Sequence, residues 1–210
     1  MAVVLCTYVQ VGGNPAAKAR CLRVTCAGVS GERLPYIVEV DSVGGVWRAI
    51  DYDASWAPFN DRFDFRPDYY QRRSPAIRLP DNALVIDLEP VFGASAQRSA
   101  AGSAAIEAAA LRAFVWLAEN EQLIALDWQH ESYRYSPGEQ ALSDEAWRIP
   151  VVPNGDYYAH MTQDMRWGTF GHPWQRSLTI WGDELIASLG AELLTWLPRH
   201  AQSQEHQAAG

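Results

Sequence analysis

From Val46 onward the chain switches repeatedly between two hydrophobic periods. Trp56, Phe59 and Phe63 recur at helical spacing behind Asp53 and Ser55, either of which can cap a short helix with Pro58 in its first turn. Residues 82–89 alternate, with Leu84, Ile86 and Leu88 on one face, and predict a strand. Residues 94–121 are Ala-rich; Ile106, Ala110, Phe114 and Leu117 form one apolar stripe, and Ser103 can cap it. Residues 123–128 predict a further strand, and Tyr133 and Tyr135 alternate after it.

A meander follows, with strands predicted at 147–152, 157–162, 165–170 and 177–181, the turns falling at Pro153-Asn154-Gly155-Asp156 and Gln163-Asp164. A last helix begins at Asp183 and turns Leu185, Leu189, Leu193 and Trp196 inward until Pro198 stops it. The pattern predicts an α+β domain over 46–198. A mainly antiparallel sheet of five or six strands carries, on one face, two longer helices and one short N-terminal helix. The tail from Arg199 is rich in Gln, His and Ala and is expected to be disordered.

Residues 1–45 differ in kind. They hold all three Cys and the one Lys but no Trp, Phe or His, and four basic residues face three acidic ones. With no aromatic anchor they can bury little, so they read as a peripheral extension or as the product of a start assigned too far upstream. The remainder carries all nine Trp, and its 13 Arg against 22 Asp and Glu give it −9, within a chain of net −8. That balance repels phosphate backbones and excludes nucleic acid as a partner. No apolar run approaches about 18 residues, so no membrane span is expected, and three unpaired thiols call for no oxidising compartment; the expected location is the cytoplasm.

Chemical motifs are few. There is no Walker A sequence, GxGxxG, HExxH or GxSxG elbow, and no cofactor is expected. Asp127 with His130 can make an acid–base pair, since a carboxylate orients an imidazole and raises its pKa. Asp156 and His172 would complete a catalytic cleft. A metal reading would join His160 and His172 to Asp156 or Asp164, but turn-forming Asp is common where strands reverse, and no metal site is expected. Tyr157, Trp167, His172 and Trp174 are candidate binding aromatics around the Gly168–Trp174 stretch.

Four segments taken together resemble one family: Phe63-Asp64-Phe65-Arg66-Pro67, Ala125-Leu126-Asp127-Trp128-Gln129-His130, Gly155-Asp156-Tyr157-Tyr158, and Phe170-Gly171-His172-Pro173-Trp174 with its following apolar strand and Gly182. The resemblance is to the bacterial domain of unknown function 2716, over about residues 46–198. It implies no activity, cofactor or catalytic residue. Two functions therefore stand. One is a non-catalytic interaction module, acidic and Trp-rich, that binds a basic protein partner. The alternative is a small hydrolase or transferase using Asp127, His130, Asp156 and His172.

Overall fold

The computed structural model describes residues 45–67 and 76–201. The expected extension at 1–45, apart from Gly45, and the tail at 202–210 lie outside the described residues.

Seven strands form one sheet: β1 (Trp47–Ile50), β2 (Leu84–Asp87), β3 (Leu123–Asp127), β4 (Ser132–Tyr135), β5 (Tyr158–Met161), β6 (Gly168–His172) and β7 (Ser177–Trp181). Their order is β1-β4-β3-β5-β6-β7-β2, and every neighbouring pair is antiparallel. The α+β class stands, with one or two more strands than expected. β1 escapes the sequence pattern because two of its four residues, Arg48 and Ala49, are exposed.

Residues 147–152 are not a strand. Pro150 and Pro153 remove two donors from any ladder. The N–H groups of Val151 and Val152 instead donate to the Glu107 carboxylate at 2.8 and 3.0 Å. The strand expected at 165–170 starts three residues later and ends two later, as β6.

Helices cover both faces, not one. α1 (Tyr52–Phe63) lays Trp56, Phe59 and Phe63 against Leu126, Ala159, Phe170 and Trp181. α2 (Glu89–Phe92) and α3 (Ala96–Ala118) cover the other face, where Ile106, Ala110 and Phe114 meet Ala125, Ile86, Leu178 and Ile180. The reason is that β5, β6 and β7 are buried at every position, so both sides of the sheet need cover. By length and composition α3 could cross a membrane, but its apolar stripe lies on the sheet.

Asp51, rather than Asp53 or Ser55, caps α1 by accepting the Ala54 N–H at 2.8 Å. Pro58 lies in mid-helix, on the exposed side, where water can meet the carbonyl it leaves free. Helix α3 begins after Ser95, which leaves Ser103 inside it. The short α4 spans Pro137–Leu142.

The last helix runs through α5 (Asp183–Leu185), a π-helical turn (Ile186–Gly190) and α6 (Ala191–Leu193). The Ala191 N–H reaches back to the Ile186 carbonyl. Leu185, Leu189 and Leu193 are fully buried as expected, but Leu197 follows them inward and Trp196 is 44% exposed. The wider turn shifts the phase that a regular helix would give. The chain stays ordered past Pro198: Arg199 bridges to Ile86, and the His200 N–H donates to the Val85 carbonyl at 2.8 Å.

Candidate functional site

Three of the four residues named for a catalytic cleft come together at one end of the sheet. Asp127 ends β3, His130 lies in the hairpin leading to β4, and Asp156 precedes β5; Asp127 pairs in register with Tyr158. One ligand-type atom from each of the three lies within 4.8 Å of the others.

The hairpin makes this arrangement locally. Asp127 Oδ1 accepts the Gln129 N–H at 3.2 Å and contacts His130 Nδ1 at 3.0 Å, the self-bonded turn that Asp favours. Asp156 Oδ1 accepts the Tyr157 N–H at 2.7 Å, while its Oδ2 lies 3.8 Å from His130 Nδ1.

Burial sets the electrostatics. The side chains of Asp127 and Asp156 are 10% and 7% exposed, while that of His130 is 71% exposed. Loss of water, then the neighbouring Asp127 charge and a hydrogen bond to it, push the Asp156 carboxyl up to about 6; the Tyr157 N–H and His130 oppose this. The hydrogen bond to Asp127 holds the His130 imidazole above its ordinary value.

Two phenols flank the pair. Tyr52 Oη donates to the Trp128 carbonyl at 2.6 Å and Tyr158 Oη to Asn154 Oδ1 at 2.7 Å. Burial and the two carboxylates raise both, Tyr158 to about 12. Among the described residues His130 is the one basic side chain within ion-pair distance of the two carboxylates. Carboxylate oxygens and an imidazole nitrogen this close could also share a divalent cation.

His172 is not among the residues whose ligand-type atoms converge there. Its Nδ1 accepts the Gln175 N–H at 3.1 Å and its ring packs edge-on to Tyr157 at 4.8 Å, so it braces the turn after β6. The metal set of His160 and His172 fails on geometry. His160 lies on the α3 face, 5.9 Å from Phe114, whereas His172 lies with Tyr157 and Phe170 on the α1 face.

His160 is fully buried: its Nδ1 meets Tyr135 Oη at 3.0 Å and its Nε2 meets the Pro150 carbonyl at 3.3 Å. A carbonyl can only accept, so Nε2 carries the proton, and burial lowers the pKa to about 4.

The candidate binding aromatics are mostly interior. Tyr157, Trp167 and His172 are at most 2% exposed, and Trp174 is half-buried against Tyr157 at 5.0 Å. Sequence reasoning missed Tyr52 and Glu107. Tyr52 had no signal beyond its place beside a helix cap. Glu107 had one, a lone acid beside the apolar stripe of α3.

Comparison with known proteins agrees with the four family-like segments. A family model described as protein of unknown function (DUF2716) matches residues 48–186. A Bacillus subtilis (strain 168) protein named uncharacterized protein YxiI is 33% identical over 151 residues, covering 68% of this chain and 91% of that protein. No solved structure matches. The resemblance expected over about 46–198 is thereby shown, and this chain belongs to the DUF2716 family.

Proposed function

We propose that the domain is a small hydrolase or transferase whose acid–base chemistry is carried by Asp127, His130 and Asp156. The observation that supports this reading is the pairing of a buried carboxylate with an exposed imidazole. Asp127 holds His130 Nδ1, which leaves Nε2 directed to solvent for a substrate proton. In that role His130 takes a proton from an attacking hydroxyl or water, and Asp127 stabilises the imidazolium that forms. Asp156, pushed up to about 6, offers a second proton for a leaving group on the acid side of neutrality. A cavity of about 300 Å³, lined by Tyr52, Trp56, Phe65 and Trp128, adjoins through Tyr52 and Trp128 and offers an aromatic wall for substrate.

Two measurements test the reading. NMR titration of the His130 ring should give a pKa above 6.5 in the parent and a lower one in Asp127→Asn. A panel of chromogenic esters and phosphoesters should show a turnover that Asp127→Asn and His130→Gln abolish. An unshifted His130 titration, or turnover that survives His130→Gln, would rule it out.

The acidic balance supports a second reading, binding of a basic protein. Trp116, 78% exposed on α3, supplies the aromatic anchor that buried Tyr157 and Trp167 cannot. A partner captured from host extract at low salt, released at high salt and lost with Trp116→Ala would support it.

A further inference from the structure

A second cavity, of about 540 Å³, opens where the end of α1 meets the segment before β2 and the start of the last helix. Its volume lies within the range of small-molecule sites. Phe63 and Trp181, both 2% exposed, belong to its lining, and Leu79 and Pro80 add half-buried apolar surface.

Three guanidinium groups line the same cavity: Arg62, Arg78 and Arg166. Arg166 is neutralised by Asp164 at 3.1 Å and by Glu121 at 2.5 Å. Arg62 and Arg78 have no ion pair among the described residues. Arg62 lies with its Cζ 5.6 Å from the Phe63 ring centroid, and Arg78 Nη2 donates to the Arg62 carbonyl at 2.9 Å. Neither acid of the lining forms an ion pair with them among the described residues: Asp183 accepts from Asn82 Nδ2 at 3.3 Å, and Asp81 is exposed.

In a domain where acids outnumber Arg by 22 to 13, three Arg beside two Asp in one concavity reverse the local balance of charge. Arg presents a planar fork that matches carboxylate and phosphate oxygens. Apolar lining beside it favours a ligand with a hydrocarbon or ring portion attached to the anionic group.

We propose that this cavity binds a small organic oxyanion, a phosphate ester or carboxylate with an apolar body, held by Arg62 and Arg78. The site lies apart from Asp127, His130 and Asp156, none of which lines it. The oxyanion sits between the two guanidinium groups, and the apolar body covers Leu79 and Pro80.

Isothermal titration with phenyl phosphate, benzoate and inorganic phosphate tests this on the full chain. Phenyl phosphate or benzoate should bind one per chain, more tightly than inorganic phosphate and more weakly as salt rises. Whichever of the two organic anions binds tighter identifies the head group.

Loss of one charge-assisted pair should weaken binding by about tenfold or more in Arg62→Gln. That side chain makes no hydrogen bond within the described fold, so the variant keeps its structure; Arg78→Lys, which retains charge but loses the fork, should weaken binding less. Asp127→Asn should leave affinity unchanged. Failure of all three anions to saturate at millimolar concentration overturns the proposal, as does affinity indifferent to Arg62→Gln. Inorganic phosphate binding as tightly as the organic anions overturns the apolar half of it.

Discussion

Glu107→Gln should change stability by an amount that depends on pH. Burial raises the Glu107 carboxyl from 4.5 to about 7, against the opposing bonds from the Val151 and Val152 N–H groups. The fold therefore favours the protonated acid. Its contribution is complete below pH 4.5 and is lost as pH rises through about 7. At about 1.4 kcal/mol per pK unit that is about 3 kcal/mol, and we take about 2 because part of Glu107 remains in water.

His160 works in the opposite sense. Its pKa falls from 6.5 to about 4, so its contribution is present above pH 6.5 and is lost as pH falls through about 4. The two windows overlap, and between pH 4.5 and 6.5 the parent should show these two slopes largely offsetting each other. The Glu107→Gln side chain would keep an oxygen for the Val151 and Val152 donors but would not ionise. Urea unfolding from pH 4.5 to 7.5 should show the variant gaining about 2 kcal/mol on the parent across that range, with other titrating groups cancelling in the difference. A difference that does not vary with pH would refute the reasoning.

Three further outcomes are expected. Gly182→Ala should cost more than about 3 kcal/mol, since Gly182 has φ +89° and a Cβ there would collide with Trp167 Cβ, which cannot swing away; thermal melting measures it. Trp174→Ala should cost about 1–2 kcal/mol, less than a fully buried Trp, because it keeps part of its surface in water; a loss near 4 would show that it anchors the turn. Removing residues 1–44 should leave the melting temperature unchanged, since they supply no Trp, Phe or His and the family match begins at residue 48; a fall of several degrees would show that they belong to the core.

Strong periodicity made most of the sheet and α3 legible. Leu84 to Leu88 and Ile106 to Phe114 have no other way to bury their stripes. The errors share a cause, which is that long-range partners override local pattern. Val151 and Val152 look like strand residues, but a carboxylate 44 positions away takes the Val151 N–H. Trp196 fits a helical stripe until the π turn shifts it.

The site divides the same way. Asp127 and His130 are three apart on a hairpin, and their contact follows from the turn alone. Asp156 joins them only because β5 pairs with β3, and His172, two strands away, faces the layer that holds Phe170. No spacing in the chain distinguishes the two cases. The burial of Tyr157 and Trp167 was equally hidden, because an aromatic on a strand reads alike as core or contact surface.

The short stretch Pro198–His200 does more than end a helix. β2 is the last strand of the sheet, and its outer backbone would otherwise offer unpaired donors and acceptors to any extended chain. The Asp87 N–H instead donates to the Pro198 carbonyl, and the Val85 carbonyl accepts from His200. The chain thereby closes the β2 edge against self-association. A protein cut after Leu197 would keep its helices and its core side chains yet expose β2 as a template, and its failure would appear as concentration-dependent aggregation before any loss of melting temperature.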